Sequence, residues 1–556
     1  MDIARVGRGM VAGLLTAAVA VGVGQLVAGI VAPDGSPVVA VGEGSIDLTP
    51  PPVKNFAISE FGSHDKLVLV IGILAVLAIL AAIVGVAATR RLGYGLAGLG
   101  IFTAIGLAAA LTRPTASVAY ALPTLVGGAA AVITLVMLVR AVPAAQITAA
   151  PAAVQPGPAD DHPDIDLETY SGPPVGPTAP PAGRPPVTSR GVEPATPTWK
   201  AAPRRSFLRT GVTAAGAAAV AGLAGRLLAE HSDVITEQAQ LRIPRPVHPA
   251  PALPAGSNLR IPGLSSFITP NASFYRVDTA IVLPEVPASS WQLRVHGMVA
   301  REVTITFDQL IRRPLTADYI TLTCVSNPVS GPYVGNALWV GASLASLLRQ
   351  AGVRAGADQL LCTSADGFTS GTPLQTVMDG RDAMLAVAMN GTALPVAHGF
   401  PVRMVVPGLY GYVSACKWIT DIEVTTYGSN VAYWAQRGWS AQAPIKTESR
   451  IDVPSGTTTL KPGPTQVAGV AWAQHKGIDA VEVQIDNGPW HEARLATVPD
   501  IDCWRQWVWD WDATPGTHQI AARATDATGY TQTSLQEPPE PNGASGYPIV
   551  SVSVSS

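Results

Sequence analysis

Cysteine is scarce, with four in 556 residues, far too few for a disulfide-stapled scaffold. No Cys-x-x-Cys pair and no histidine pair at zinc spacing occurs. The nucleophile elbow Gly-x-Ser-x-Gly is missing, as is a P-loop. Charge is also sparse: 13% of residues are Asp, Glu, Lys or Arg, against about 25% in an ordinary soluble protein. Lysine contributes 7 and arginine 29, a bias expected of GC-rich coding and without functional content. The net charge of −3 leaves no chain-wide basic field for nucleic acid. With a mean hydropathy of +0.28, the composition excludes both chain-wide disorder and a fully soluble cytosolic enzyme. The length implies two to four folded units.

What is abundant is long uncharged sequence near the N-terminus. Residues 9–33, 67–89, 92–112 and 114–139 contain no charged side chain. About 20 apolar residues cross the hydrocarbon as a helix, and a core helix would not be apolar on every face four times over. The first 140 residues are therefore read as four transmembrane helices, at about 9–33, 67–89, 92–112 and 118–139. Arg5, Arg8, Arg90, Arg91 and Arg140 fall on one side of these spans, and most acids, including Asp34, Glu43 and Asp47, on the other. The positive-inside rule then makes the N-terminus cytoplasmic and the 34–66 loop outward. No histidine lies within the four helices, which argues against a haem held between them. No acid or base lies mid-membrane either, which argues against an ion pathway. The helices are expected to be an anchor.

Residues 141–203 are rich in Pro and Ala and read as an extended cytoplasmic linker. Next come Arg204-Arg205-Ser206-Phe207-Leu208 and an uncharged run, Thr210 to Gly225. That pattern resembles a twin-arginine export signal. Residues 204–229 are expected to remain as a fifth transmembrane segment, with everything beyond facing outward. Export of an already folded domain implies a bulky cofactor inserted beforehand.

Residues 240–440 read as mixed α/β. Strands are expected at Ile281–Leu283, Trp291–Gly297, 357–364 and 401–407, and a short helix at 344–348. Residues 460–556 alternate like a small β-sandwich, with strand-like stretches at 467–472, 481–485, 504–511 and 519–524 and a turn at Asp486-Asn-Gly. Cys324 ends a β-type run and opens a Pro/Gly/Asn loop. On position alone a small buried hydrophobe is the more expected reading, ahead of a loop thiolate for a soft metal.

The surrounding pattern decides between them. Thr323-Cys324-Val-Ser-Asn327 followed by Leu338-Trp339-Val-Gly341, with Phe274-Tyr275-Arg276, Asn390-Gly391, His398-Gly-Phe-Pro-Val-Arg403, Val406-Pro-Gly-Leu-Tyr-Gly411 and Lys417-Trp418, resembles the sulfite oxidase family of molybdopterin-dependent oxidoreductases. The resemblance covers about 265–430, and continues over 465–535 as that family's immunoglobulin-like domain. It implies a molybdenum–molybdopterin cofactor with Cys324 as the metal ligand. His398, Arg403 and Lys417 would hold the pterin phosphate, with hydroxyls from Ser414 and Ser364. Tyr275 and Arg276 would touch the pterin or metal pocket, making Cys324, Arg276 and Tyr275 the catalytic set. Thr363 and Asp366 lie where further contacts are expected. The segment 433–452 would link the domains and approach the mouth of the site.

The chain departs from the family beside the cysteine. Animal and plant members carry an arginine a few residues on, whereas here the loop reads Val325-Ser-Asn-Pro-Val-Ser330. Sulfite as substrate is therefore in doubt. No b-type haem domain is present, so electrons must reach a separate partner, a quinone or a cytochrome. Cys362, Cys416 and Cys503 match no ligand position and are expected to be buried thiols. The expected architecture is multi-domain: an N-terminal α-helical membrane region, a mixed α/β molybdopterin domain and a β-sandwich. The expected protein is a multi-pass bacterial membrane oxidoreductase with an extracytoplasmic catalytic domain. It would act on a small substrate, by sulfite-like oxidation or S-/N-oxide reduction, and could dimerise through its C-terminal domain. The alternative is a non-catalytic binding or assembly module that retains the fold.

Overall fold

The computed structural model describes residues 3–31, 35–50, 53, 65–113, 116–141, 202–230, 233–456 and 458–556. The expected linker lies outside the described residues apart from its ends. Five helices are long and apolar enough to cross a membrane: Ile3–Val31, Leu67–Arg90, Leu92–Leu111, Val118–Arg140 and Phe207–Gly225. They fall within helices α1 (Ile3–Val31), α3 (Asp65–Arg90), α4 (Leu92–Leu111), α5 (Ala121–Arg140, led in by a 3-10 turn) and α6 (Ala202–Glu230). The expected outward loop holds a helix that the sequence reading did not assign, α2 (Pro37–Leu48).

Small residues set the bundle's geometry, because backbones approach closely only where side chains are absent. A Cβ on Gly22 would lie 2.6 Å from the Ala218 carbonyl oxygen, and one on Gly29 2.6 Å from that of Gly225. These pairs advance together along α1 and α6, so the two helices run parallel. Gly24 meets Pro123 while Gly127 meets Ala20, so α5 runs antiparallel to α1. The α3 helix is antiparallel too, because Gly9 meets Val86 while Gly13 meets Ala81. The Arg5 guanidinium donates to the Thr89 carbonyl, tying the start of α1 to the end of α3. The arginine-bearing ends of all five helices therefore share one end of the bundle. At the opposite end α2 meets the large domain, where a Cβ on Gly42 would lie 2.7 Å from Ile281 Cδ1.

The large domain holds two sheets. One has the order β2 (Val303–Thr306), β1 (Gln292–Gly297), β10 (Ile419–Thr425), β5 (Gln359–Ser364), β6 (Thr369–Pro373), with β1 and β10 parallel and the other pairs antiparallel. The other has β3 (Leu315–Thr323), β4 (Val334–Ser343), β7 (Met384–Met389) and β8 (Thr392–Ala393), with β9 (Arg403–Val405) on β7. The strand expected at 401–407 shrinks to β9. Ile281–Leu283 is not a strand; no neighbouring strand pairs with it. Short helices α8 (Phe307–Ile311), α9 (Leu344–Ala351) and α10 (Leu374–Met378) lie between these strands; α9 is the helix expected at 344–348 and is ended by Gly352 at φ +72°.

A helix that follows the fifth span, α7 (Asp233–Gln240), fastens this domain to the bundle. Val234 enters the core, and the Glu237 carboxylate accepts from the Ala288 and Ser289 amides at 3.1 and 2.9 Å.

The C-terminal region is β-rich. Two sheets, β11 (Glu448–Val453), β13 (Gly463–Trp472), β17 (Arg505–Ala513), β16 (Arg494–Leu495) and β12 (Thr459–Leu460), β19 (Ile549–Val554), β18 (Gly516–Asp526), β14 (Ile478–Ile485), β15 (Trp490–Glu492), enclose one core. The expected turn after β14 is formed by Asp486 and Asn487 at φ +51° and +59°. This region is joined to the large domain through shared packing: Val470, Trp472, Cys503 and Trp504 belong to the large domain's core. Trp504 Nε1 donates to the Phe267 carbonyl at 2.8 Å, and Gln474 Nε2 to that of Thr321 at 2.9 Å.

Candidate active site

Strand β3 delivers Cys324 into a loop built around Asn327. The Cys324 amide donates to the Tyr333 carbonyl, and the Asn327 side-chain oxygen accepts from the Tyr333 amide at 2.8 Å. Cys324 is buried in this loop, 8% exposed. Its Sγ lies 2.9 Å from Ser326 Oγ. Burial raises the thiol's pKa, while the Ser326 hydroxyl, the Ser326 and Val325 amides and the charge of Lys417 pull it down. Those are the groups that would stabilise a thiolate once a metal displaces the proton.

Segment 271–278 crosses β4 where Gly335 leaves room; a Cβ there would meet the Phe274 ring at 2.8 Å. Phe274 stacks on Tyr275 and meets His398 and Trp339 edge-on, with centroids 5.2, 5.5 and 5.8 Å apart. Tyr275 is raised in pKa by burial and then by Cys324. Its hydroxyl lies 3.7 Å from where a Gly411 Cβ would be, at the turn α11 (Gly411–Ser414).

A cationic cluster forms the other wall. Gly399, at φ +110°, lets the chain reverse so closely that a Cβ would meet Arg403 Cβ at 3.0 Å and Lys417 Cα at 3.1 Å. His398, Arg403 and Lys417 are thereby brought together. Arg403 lies over Trp339, with Cζ 5.0 Å from the ring centroid. It donates to the His398 and Ala415 carbonyls at 3.2 Å each. Lys417 Nζ lies 2.6 Å from Asp278, which also binds Arg276 at 2.8 Å. Burial and mutual repulsion lower these bases: Lys417 to about 8 and His398 to about 4. Burial alone lowers Arg403 to about 10. His398 Nε2 faces the Asn271 carbonyl at 3.1 Å. A carbonyl only accepts, so Nε2 carries the hydrogen and Nδ1 of the neutral ring is bare.

The expected site residues therefore divide. Cys324 and Tyr275 form one side. His398, Arg403, Lys417 and Arg276 form the other, with Arg276 partly exposed and tied to Asp278 rather than beside the thiol. Ser364, at the end of β5, is buried and close to Trp418 through the Ala365 amide, which donates to the Trp418 carbonyl at 2.9 Å. Asp366 caps its own turn, accepting from the Phe368 amide. Ser414 fits the expected role least, because its hydroxyl is turned to the Leu409 and Tyr410 carbonyls at 3.0 and 3.1 Å. Its physical role is to close α11. Cys362, Cys416 and Cys503 are buried free thiols, as expected. Asp278 and Ser326 were not singled out from the sequence. Asp278 lies two residues after Arg276, but only the fold reveals that it reaches Lys417.

Residues 280–434 match the model of the oxidoreductase molybdopterin binding domain. The same stretch is similar to sulfite oxidases and to the molybdopterin-binding part of nitrate reductases. The chain is 29% identical over 316 residues to sulfite oxidase of Gallus gallus, covering 48% of this chain and 68% of that protein. It is 29% identical to the mitochondrial sulfite oxidase of Rattus norvegicus over 273 residues, and there spans 50% of the relative's length. With NADH nitrate reductase of Solanum lycopersicum the identity is 27%, over 51% of this chain and 38% of that protein. Sulfane dehydrogenase SoxCD from Paracoccus pantotrophus aligns in structure with a TM-score of 0.45 and 24% identity, over 51% of this chain and 80% of that chain.

The matched domain and these relatives imply a molybdenum–molybdopterin cofactor, and the side chains fit one. Arg403 Nε, Ser364 Oγ and Asn327 Nδ2 are buried without hydrogen-bond partners. Buried polar groups are normally paired, so these donors await an acceptor. Arg276, His398, Arg403 and Lys417 converge on a region where Asp278 supplies the carboxylate that pairs with Arg276 and Lys417. A phosphate would relieve that repulsion, and the single thiol meets the preference of a soft metal.

Proposed function

We propose that this chain is a membrane-anchored molybdenum-cofactor oxidoreductase with its catalytic domain on the outer face of a bacterial cell membrane. The observation that carries the reading is the convergence of a half-polar thiol, Cys324, with a cluster of under-neutralised bases. In this reading Cys324 Sγ is the protein's metal ligand. Lys417, Arg403 and protonated His398 hold the phosphate, with Ser364 adding a hydroxyl, and Tyr275 packs against the metal pocket. When bound, the molybdenum centre supplies two-electron oxygen-atom transfer to or from a small substrate. The protein's part is to offer Ser326, two amides and Lys417 to the thiolate that metal binding would form, and to fix the phosphate end with buried cations.

The Cys324 loop brings no cation of its own, and Arg450, which reaches Gly331 at 3.0 Å, is already paired with Asp452 at 2.7 Å. A dianion such as sulfite is thus weakly provided for, which favours reduction of a neutral S- or N-oxide. The five apolar helices serve as the anchor, the α6 arginines as a twin-arginine-type signal, and the C-terminal sandwich as an immunoglobulin-like module able to dimerise. Electrons pass to or from a separate carrier, a quinone or cytochrome. Cys324→Ser should lose stoichiometric molybdenum while keeping the wild-type thermal transition. Full molybdenum in that variant would overturn the reading. Spectroscopic titration of the bound metal with candidate oxidants and reductants then gives the direction of electron flow.

A further inference from the structure

Against α11 lies a cavity of about 270 Å³. Its walls come from β5, β6, α11 and segment 427–441, with Tyr412, Tyr427, Trp434 and Trp439 as the aromatic faces. Trp439 stands edge-on to Tyr412 and Trp434, centroids 6.1 and 6.2 Å apart. No Asp, Glu, Lys, Arg or His lines it, so an ion would enter unpaired.

Most of its polar side chains already have partners. Tyr412 donates to the Ser440 carbonyl. Tyr427 reaches the Gly371 carbonyl. Asn430 binds Glu423 and Thr425, and Thr369 accepts from the Tyr433 amide. Gln359 is the exception: it is fully buried, and neither its amide oxygen nor its amide nitrogen has a partner. The fold makes room for this amide, because a Cβ on Gly371 would lie 2.6 Å from Gln359 Nε2. Ordered water could meet one amide, but water needs two to four polar partners, and the flat indole and phenol faces offer few.

We propose that this cavity binds a small, uncharged, planar molecule whose edge carries a hydrogen-bond donor beside an acceptor, as a carboxamide or lactam does. Gln359 pairs with that edge through both amide atoms, and the tryptophans and tyrosines stack on or abut its ring. None of the residues assigned to the cofactor lines this cavity. Tyr412 is nevertheless common ground: its phenol lines the cavity and is raised in pKa chiefly by burial, with Cys324 contributing.

The test is calorimetric titration of the purified full chain in detergent with benzamide, benzoate and toluene. Benzamide should bind once per chain and at least about tenfold tighter than benzoate, as an unpaired charge demands. Gln359→Leu should weaken benzamide about tenfold and leave toluene unchanged. Equal binding of benzamide and benzoate, or no benzamide binding at millimolar concentration, overturns the proposal. So does unaltered benzamide affinity in a folded Gln359→Leu protein. Should that variant fail to fold, N,N-dimethylbenzamide replaces it on the wild-type chain, and binding as tight as benzamide's refutes the amide pairing. Because binding is read without turnover, the result is independent of the molybdenum content.

Discussion

His398 illustrates how one side chain couples the site to protons. Burial first, then Arg403, lowers its pKa to about 4, so at neutral pH it is uncharged with Nδ1 bare. It can donate from Nδ1 only after taking up a proton, which a bound phosphate would favour. Cofactor binding should therefore absorb a proton. Affinity should fall as pH rises above 4, by up to about tenfold per unit until the pKa of the occupied site is passed. Measuring cofactor retention between pH 5 and 8 checks this, and His398→Gln, a donor that does not titrate, should flatten the profile. A profile of the same slope in that variant would remove His398 from the site. Arg403, lowered only to about 10, stays charged throughout and cannot be the source.

Among elements, the joint between the large domain and the β-rich region carries an electrostatic liability. Asp318 on β3 is raised to about 7 by burial and by Asp500; one carboxylate oxygen from each of Asp318, Asp500 and Asp502 lies within 4.8 Å of the others. Glu448, on β11, is raised to about 8 by burial. In both, the folded protein holds its proton more tightly than the unfolded chain. Their contribution is complete below about pH 4 and is lost as pH rises through 7 to 8. For each group the change across that window is about 4 to 5 kcal/mol. Asp318→Asn and Glu448→Gln should raise the thermal transition at pH 8 and leave it nearly unchanged at pH 4. A wild-type pH dependence in the double variant would show that these carboxyls ionise elsewhere.

Helix pairing makes a second prediction at this scale. With α1 and α6 parallel, Gly22→Cys and Ala218→Cys should form a disulfide in membranes under mild oxidation. Gly22→Cys with Thr210→Cys should not, since eight residues of α6 displace the partner by about 12 Å. Cross-linking of the second pair alone would shift the register of α6 against α1 by about two turns and overturn this pairing.

For the whole molecule, the shared arginine end of the bundle and the contact of Gly42 with Ile281 at the other end place the catalytic domain opposite the positive charge. With the positive-inside rule, this favours an extracytoplasmic domain. A reporter active only outside the cytoplasm should be active when fused after Ser556 and inactive when fused after Arg140. Activity at Arg140 alone would invert the protein. Helix α7 matters here because it leaves a short path between the fifth span and the domain it fastens to. Glu237 then fixes the domain's approach to the bundle.

The sequence alone determined what depends on composition and local order. Four charge-free runs forecast the apolar helices because burial in hydrocarbon tolerates little else. Cys324, His398, Arg403 and Lys417 were picked out through the resemblance of the short motifs that hold them, and the positive-φ Gly399 is one local reason such a motif is needed. The β-rich C-terminal region was readable from alternation. The apolar triplet Ile281–Leu283 misled, since a strand needs a neighbour that no local pattern announces; Ile281 instead abuts α2. Tertiary structure alone decided that Asp278 bridges Arg276 and Lys417 and that Ser414 closes its own turn. It also decided that α1 and α6 run side by side and that Gln359 lies unpaired among aromatics. Each of these is a meeting of groups far apart in the chain or a choice among several available hydrogen bonds. Such outcomes follow from packing, which only the folded chain as a whole resolves.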